Sequence, residues 1–182
     1  MNSTVMRIEL RAWKVGDLPI LIEFANNERI AANMTDSFPH PYSKEAGLKF
    51  IEWATSSDPN HILCIKADGK VCGSIGLHAQ QDVMCKNMEL GYWIAEPYWG
   101  QGIATNAVTL MVQYGFKHWD INRIFAKPFA VNIGSLRVLE KVGFRKEGLF
   151  KAAVYKRGRY IDFLEYAIHR TEWEHRTIEP IP

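Results

Sequence analysis

A turn with two glycines, Gly100 and Gly102, does most to restrict what this chain can fold into. It separates a strand-like run at residues 88–94 from a helix-like run that extends from about Thr105 to His118. Glycines at alternate positions let the backbone turn tightly and approach a ligand without a Cβ in the way. A helix that begins there offers unpaired N–H groups and the positive end of its dipole, which suit a phosphate. The turn predicts a pyrophosphate site, although turn geometry alone also explains two glycines at this place.

Length and charge predict one globular domain whose main partner is neither nucleic acid nor a membrane. The chain has 182 residues, of which 47% are hydrophobic and 23% are charged, which is enough for a sizeable core. Its net charge of +2 is too small to indicate nucleic acid or an anionic membrane surface. Residues 1–11 hold no apolar signal segment, and no run approaches the ~18 apolar residues of a membrane span. One local basic cluster is interpreted as a solvated hairpin, and it consists of Lys151, Lys156, Arg157 and Arg159.

The cysteines favour a reducing compartment. The chain has three of them, Cys64, Cys72 and Cys85. A two-residue hairpin turn at residues 68–69 would set Cys64 opposite Gly73 and Cys72 opposite Ile65, on opposite faces of the ribbon. We therefore expect no disulfide between them and a cytoplasmic protein. No His, Cys or Asp spacing suggests a metal site, so we expect none.

Hydrophobic periodicity and turn residues predict seven strands and four helices. The predicted strands cover about residues 6–13, 61–67, 70–78, 84–94, 121–129, 144–155 and 160–169. The predicted helices cover about residues 17–27, 43–55, 105–118 and 132–142. Ser43 is the expected N-cap of the second helix, and Gly143 is expected to end the fourth. This order predicts an α+β fold rather than a series of βαβ units.

A second motif follows the glycine turn. Asn132 and Ser135 precede an apolar helix that ends in Gly143-Phe144. Together with the stretch Trp99 to Ala104, this motif resembles the GNAT superfamily of acetyl-CoA-dependent N-acetyltransferases, in which both motifs occur in this order and at this spacing. The resemblance implies a single GNAT domain over residues 1–182 with a core at about 6–172. It further implies a mixed, mostly antiparallel sheet of about seven strands, splayed between the fourth and the fifth, with about four helices.

Several segments are similar to one branch of that superfamily, which acetylates the N-termini (alanine or serine) of ribosomal proteins. These segments are Leu10-Arg11, Pro39 to Ser43, Glu89 to Ile94, Tyr98 to Ala104 and Gly158 to Asp162. The branch implies acetyl-CoA as the co-substrate and direct transfer to a primary amine, with the α-amine of a ribosomal-type protein as the first candidate acceptor. It leaves a homodimer open.

The chain departs from the wider superfamily at two positions. Trp99 stands where many members carry Arg or Gln, which leaves the phosphate contacts to backbone amides. Leu139 stands where many members carry the tyrosine that protonates the departing CoA thiolate. Another group or water must supply that proton here.

By the resemblance, acetyl-CoA binds along the glycine turn and the strand before it. The expected cofactor-binding residues are Tyr92, Trp93, Ile94, Trp99, Gly100, Gln101, Gly102, Ile103, Ala104, Thr105, Asn132 and Ser135. The amides of about residues 101–105 would hold the pyrophosphate. The strand at 89–94 would separate from its neighbour at 124–127 and pair with pantetheine like an added strand. A main-chain N–H near Leu90 or Tyr92 would polarise the thioester carbonyl.

Glu89 is the first candidate for the base, acting through water, because the acceptor must attack as a neutral amine. The alternative is a strand-edge carboxylate paired with an arginine. Ser135 is the candidate acid or hydrogen-bond donor to the thiolate, and its alternative role is a simple helix cap. Tyr155 and His78 are weaker candidates. For His78 the reason is that a lone histidine beside a strand end is usually structural.

Phe38 and Tyr42 are the expected acceptor-groove residues, because their proline-constrained loop is poorly suited to a core. Glu89 and Tyr155 complete the expected substrate-binding set. The remaining large aromatics are expected in the core, and they are Trp53, Tyr92, Trp93 and Trp99. A polyamine, an amino acid or an aminoglycoside remains an alternative acceptor, and a non-catalytic acyl-CoA-binding regulatory module remains an alternative function.

Overall fold

A seven-stranded mixed sheet organises the protein. The computed structural model describes residues 6–176, so the ends of the predicted 1–182 domain lie outside the described residues. The strands are β1 (Ile8–Arg11), β2 (Ile62–Ala67), β3 (Lys70–Ala79), β4 (Asn87–Ile94), β5 (Arg123–Ala126), β6 (Arg145–Lys156) and β7 (Arg159–His169). The helices are α1 (Leu18–Ala25), α2 (Glu28–Ala31), α3 (Lys44–Ala54), α4 (Ile103–His118), α5 (Ile133–Val142) and α6 (Arg170–Glu174). The sheet order is β1-β2-β3-β4-β5-β7-β6, and β4–β5 is its parallel pair.

The predicted α+β class and mixed seven-stranded sheet are confirmed, but the expected four helices are too few. The described chain has six, because α2 and α6 are only 4 and 5 residues long and show no periodicity that a sequence could reveal. Asn27 fixes the first of them, since its side chain accepts from the amides of Arg29 and Ile30. The caps predicted at Ser43 and Gly143 are confirmed.

The sheet carries a core on each face. One core lies under α4 and α5 and includes the fully buried Met111, Ile124 and Leu139. The other lies under α1 and α3 and includes Trp13 and Leu21. The central strands β3 and β4 therefore alternate their side chains between two buried layers. The face to which each β4 side chain points thus determines which part of the site it can reach.

The expected pairing of Cys64 with Gly73 is wrong by one residue. A β-bulge after Ile65 shifts the register, so Cys64 faces Ser74 and Ile65 faces Gly73. The prediction that Cys64 and Cys72 lie on opposite faces of the ribbon is nevertheless confirmed, because Cys64 lies in the α1–α3 core and Cys72 in the α4 core. All three cysteines are free.

β4 and β5 lie side by side only briefly. Their pairing ends at Glu89 opposite Phe125. After β5 the chain follows β7 instead, where the carbonyl of Pro128 accepts from the amide of Leu164. The edge of β4 from residue 90 onward is therefore open, and the expected splay between the fourth and fifth strands is confirmed.

The proline-constrained loop before α3 contributes to the core, contrary to expectation. Tyr42 is only 5% exposed, and burial raises the pKa of its hydroxyl to about 12. Phe38 packs against it with ring centroids 5.4 Å apart and also contacts Trp93. The prolines restrict the conformations of this loop, and both rings pack against the α1–α3 core.

The tip of the β6–β7 hairpin is not a purely solvated basic cluster. Lys156 is 7% exposed and its Nζ lies 2.9 Å from Asp36 in the loop after α2. Arg157 pairs with Glu28 at 3.2 Å. These ion pairs connect the hairpin to the α2 region. Within residues 6–176, no helix is both long enough and apolar enough to cross a bilayer.

Candidate active site

One cavity of about 980 Å³ passes through the gap between β4 and β5. Its lining includes the glycine turn and α5 on one face of the sheet, and Trp53 and His78 on the other. Its volume lies at the upper end of the range for sites that bury a cofactor-sized ligand. The cavity can therefore hold a long ligand that reaches from one face to the other.

The N-terminus of α4 supplies free amides to this cavity. The helix begins at Ile103, two residues earlier than expected, because Gly102 adopts φ +77° and serves as its N-cap. The first backbone hydrogen bond of the helix joins the amide of Asn106 to the carbonyl of Gly102. The amides of residues 103–105 precede that bond, and all three residues line the cavity. Gly100 also has a positive φ, +74°, so the turn needs glycine at both positions.

Trp99 anchors the turn rather than offering a hydrogen bond to a ligand. Its indole N–H donates to the carbonyl of Ile94 at 2.7 Å, which ties the turn to the end of β4. The guanidinium of Arg29 lies over the Trp99 ring, 4.9 Å from its centroid, and pairs with Glu96. Arg29 lines the cavity beside the glycine turn, so it brings a cation to the expected phosphate site.

Backbone alternation decides which groups of β4 face the gap. The amide of Ala95 donates to β3, and the carbonyl of Asn87 accepts from the residue after β3, so odd-numbered residues direct their backbone groups to β3. Leu90 and Tyr92 consequently direct their N–H and C=O groups to the gap. Trp93 pairs its backbone with β3, and its side chain is buried in the α1–α3 core. The free edge of β4 can bind an extended chain as an added strand.

Glu89 lies on the acceptor face of the gap, which we define by Trp53, His78 and Glu89. His78 is its cross-strand partner, so both side chains project from the same face of the sheet. The ring of His78 stacks on that of Trp53 with centroids 5.7 Å apart and planes at 12°. Gly91 comes next on this face, and a Cβ there would lie 3.5 Å from Nε2 of His78. The missing side chain leaves room beside the carboxylate.

The electrostatics of this face suit a carboxylate base. Burial raises the pKa of Glu89, the charge of Lys127 opposes the rise, and the charge of Glu165 adds to it. Within the described residues Glu89 forms no ion pair, since the nearby Arg123 bonds to Glu147 and Glu165 instead. Burial also lowers the pKa of His78, so that ring is neutral. The alternative that Glu89 is a strand-edge partner of an arginine finds no support in this geometry.

Tyr92 and Ser135 meet on the opposite face, which we call the donor face together with the glycine turn. The Tyr92 hydroxyl lies 2.8 Å from Oγ of Ser135. Ser135 does not cap α5 with its side chain, because Oδ1 of Asn132 accepts its amide at 3.2 Å and performs that function. Leu139 is fully buried in the α4 core, and its side chain has no polar group that could bind a ligand.

Three of the expected substrate-binding residues lie outside the cavity. Phe38 and Tyr42 pack beneath it in the α1–α3 core, and Tyr155 stands 64% exposed on the β6–β7 hairpin against Tyr160. The fourth, Glu89, lines the cavity. All twelve expected cofactor-binding residues line it as well. Within residues 6–176 no group of three His, Cys, Asp or Glu side chains is placed to hold a metal ion.

Sequence reasoning missed several residues that line the cavity. Trp53 is 55% exposed there although a core position was expected. The missed basic residues are Arg29, Lys127, Arg137 and Lys141. Arg137 and Lys141 stand four residues apart, on one face of the helix that follows Asn132. That spacing was visible in the sequence, whereas Arg29 depends on the short helix α2, which no pattern announced.

The comparisons with known proteins agree with this geometry. A family model described as an acetyltransferase (GNAT) domain matches residues 7–145. YdaF of Bacillus subtilis (strain 168), provisionally named a ribosomal N-acetyltransferase, is 36% identical over 107 residues. That match covers 59% of this chain and 58% of YdaF, so the chain aligns with little more than half of that relative.

Two further relatives match over most of the chain. The spermidine N(1)-acetyltransferase of Escherichia coli (strain K12) is 25% identical, with 93% of this chain and 91% of that protein covered. The structure of RimL, a ribosomal alpha-N-protein acetyltransferase in complex with coenzyme A, superposes with a TM-score of 0.80. It covers 91% of this chain and 95% of RimL at 24% identity, which supports the fold. The family resemblance is thereby confirmed, and the chain belongs to the GNAT family of N-acetyltransferases.

Proposed function

We propose that this protein transfers the acetyl group of acetyl-CoA directly to a protein N-terminal α-amine of ribosomal type. The observation that carries the proposal is the passage through the sheet. It joins a phosphate-binding turn and helix N-terminus on the donor face to an unpaired carboxylate, Glu89, on the acceptor face. Direct transfer needs donor and acceptor to meet in one place from two sides, and this gap provides that place.

Acetyl-CoA would bind along the donor face. The amides of residues 101–105 hold its pyrophosphate, and the side chains of Arg29, Arg137 and Lys141 supply positive charge around the phosphates. Pantetheine extends along the open edge of β4. The thioester carbonyl then accepts from the N–H of Leu90 or Tyr92, a contact whose loss costs about 3 kcal/mol in comparable sites.

Glu89 would accept the proton of the attacking amine through a water molecule. An α-amine has a pKa of about 8, so a substantial fraction is already neutral near pH 7 and a mild base is sufficient. A carboxylate whose pKa is raised towards neutrality is a better general base than an ordinary glutamate. On the donor face, the hydroxyl pair of Tyr92 and Ser135 would lie near the departing thiolate.

The charge of the cavity favours a peptide α-amine over a polyamine or an aminoglycoside. Among residues 6–176, the only carboxylate in the lining is that of Glu89, against four Arg and Lys side chains. A multiply charged amine needs several anionic partners, and this lining offers one. The exposed Trp53 beside Glu89 can instead contact the apolar part of a peptide N-terminus.

A cytoplasmic location belongs to the same proposal. The free, buried thiols of Cys64 and Cys72 support a reducing compartment, as does an acceptor that is a ribosomal protein. Nucleic acid and membranes stay outside the proposed partners. The oligomeric state stays a prediction.

Release of CoA thiol from acetyl-CoA tests the proposal. The acceptors are a peptide with a free N-terminal serine or alanine, the same peptide with a blocked N-terminus, and spermidine. We expect thiol release with the free peptide alone, and mass spectrometry should locate the added acetyl group on its α-amine. A higher kcat/KM for spermidine would refute the acceptor. Tight CoA binding without thiol release for any acceptor would refute the enzyme and leave the acyl-CoA-binding module.

A further inference from the structure

A tyrosine reaches the thiol end of the site from an unexpected element. The helix position that carries the acidic tyrosine in many family members is Leu139 here, fully buried in the core. Tyr92 of β4 extends towards the same helix from the other wall of the cavity. Its hydroxyl lies 2.8 Å from Oγ of Ser135 in the first turn of α5. The cavity therefore holds a phenol at the donor face, supplied by a strand instead of a helix.

We propose that the Tyr92 hydroxyl donates the proton that the departing CoA thiolate takes up, and that Ser135 is the positioning residue for that hydroxyl. The inference rests on the proposed function, because it concerns the leaving group of the same acetyl transfer. The inference also fits the alternation of side chains along β4, since Tyr92 and Glu89 project from opposite faces of that strand. The amine proton thus leaves on the acceptor face while the thiolate proton arrives on the donor face.

The step balances in atoms and charge. The amine nitrogen forms a bond to the thioester carbon, and its surplus proton passes through water to Glu89. The carbon–sulfur bond breaks with its electron pair on sulfur, and the sulfur takes the proton of the Tyr92 hydroxyl. The resulting phenolate accepts a hydrogen bond from Ser135 until it regains a proton from solvent. No oxidant, metal or acyl-enzyme takes part.

Chemistry favours the phenol over the serine hydroxyl as the donor. A phenol has a reference pKa of about 10, whereas an aliphatic hydroxyl does not ionise in this range, so the phenol is the stronger acid of the pair. Burial raises the pKa of Tyr92 to about 12, and its hydrogen bond with Ser135 opposes that rise. Tyr92 is therefore protonated whenever the thiolate departs, and Ser135 is free to act because Asn132 caps the helix.

The pKa of the thiol of bound CoA tests this assignment without any acceptor. Isotope-labelled CoA is bound to the protein, and the NMR shift of the methylene next to sulfur is followed against pH. A hydrogen bond from Tyr92 stabilises the thiolate, so we expect Tyr92→Phe to raise the pKa of the bound thiol by about one unit. Ser135→Ala should give a smaller rise, and the double variant no more than Tyr92→Phe alone. Tyr160 is 74% exposed, and Tyr160→Phe provides the matched control.

The turnover of the same variants completes the test. Tyr92→Phe should lower kcat about 100-fold while the Kd for CoA stays within about twofold. An unchanged thiol pKa in Tyr92→Phe, or a Ser135→Ala variant with the larger shift, would overturn the inference. If wild-type protein fails to bind CoA at all, the proposed function fails with it. If CoA binds and only the shift is missing, the proposed function stands and the assignment of Tyr92 falls.

Discussion

The donor and acceptor faces of β4 are built in different ways. The donor face uses mainly backbone amides from one continuous stretch, residues 99–105, completed by Tyr92 and Ser135. The acceptor face uses side chains that come from three elements, with Trp53 on α3, His78 on β3 and Glu89 on β4. Backbone recognition needs only a local turn and a helix start, whereas side-chain recognition needs the whole fold. The sequence alone therefore predicts the donor site, whereas the acceptor stays a proposal.

On the acceptor face, the largest effect should come from substitution of the Glu89 carboxylate. Glu89→Gln should lower kcat about 100-fold at pH 7, because general base catalysis contributes at least that much. The KM for acetyl-CoA should stay within about twofold, since the donor face is untouched. Glu52→Gln on the exposed side of α3 is the matched control. An equal loss of CoA affinity in Glu89→Gln would show that the two faces are not separate.

The pH profile of kcat sharpens the same contrast. Burial raises the pKa of Glu89, so the carboxylate takes up a proton at a higher pH than an ordinary glutamate at about 4.3. Activity should therefore fall as the pH drops, starting above the range of a solvated glutamate. Glu89→Gln should lose this acid limb when kcat is followed from about pH 5 to about pH 9. An identical limb in the variant would assign the ionisation to another group.

On the donor face, the largest effect on CoA affinity should come from the glycine turn. Gly102→Ala forces alanine to φ +77° at the N-cap of α4 and should weaken CoA binding about tenfold. Gly69→Ala is a close control, because Gly69 has φ +79° in the β2–β3 turn and equally open surroundings. Both variants should lose about 1 kcal/mol of unfolding free energy. Calorimetry should show weaker CoA binding in Gly102→Ala but not in Gly69→Ala. If CoA binding weakens equally in both variants, the glycine turn is not part of the CoA site.

A smaller effect is expected from the basic residues that flank the phosphates. Arg137→Ala or Lys141→Ala should each raise the Kd for CoA about threefold, the size of an exposed charge contact. The difference from wild type should shrink as salt is added, because exposed charges are screened. Lys151→Ala removes an exposed charge outside the cavity and should change nothing. If Arg137→Ala or Lys141→Ala instead changes the KM for the peptide, that residue acts on the acceptor face.

The smallest effect is expected at a residue that the sequence placed in the substrate site. Tyr155 lies on the hairpin outside the cavity, so Tyr155→Ala should change kcat/KM by less than about twofold. Steady-state kinetics with the peptide acceptor measures this change in kcat/KM. A tenfold rise in the peptide KM would restore Tyr155 to the acceptor groove and extend that groove over the hairpin.

Local rules account for what the sequence revealed. The strand, the glycine turn and the helix follow from periodicity and from the need for glycine at positive φ, and the structure has them with the helix only two residues early. The splay between β4 and β5 came from the family resemblance. Its physical cause is local, since the chain after β5 pairs with β7 and leaves β4 unpaired beyond residue 89.

Long-range packing accounts for what the sequence concealed. Tyr42 is buried because the prolines around it turn its ring into the α1–α3 core, which no local pattern reports. Arg29 reaches the glycine turn from a helix of four residues, too short for any period. The bulge after Ile65 shifts one pairing by a residue without changing either face. For Tyr42 and Arg29, contacts between distant segments decided the outcome.

A crystal structure of the protein with CoA bound would show whether donor and acceptor meet through the sheet. We expect the pyrophosphate on the amides of residues 101–105 and pantetheine along the open edge of β4. The CoA sulfur should lie in the gap, within hydrogen-bond distance of the Tyr92 hydroxyl and with Glu89 across the strand. CoA bound at the glycine turn with its sulfur outside the gap, or pantetheine that does not pair with β4, would contradict transfer through the sheet.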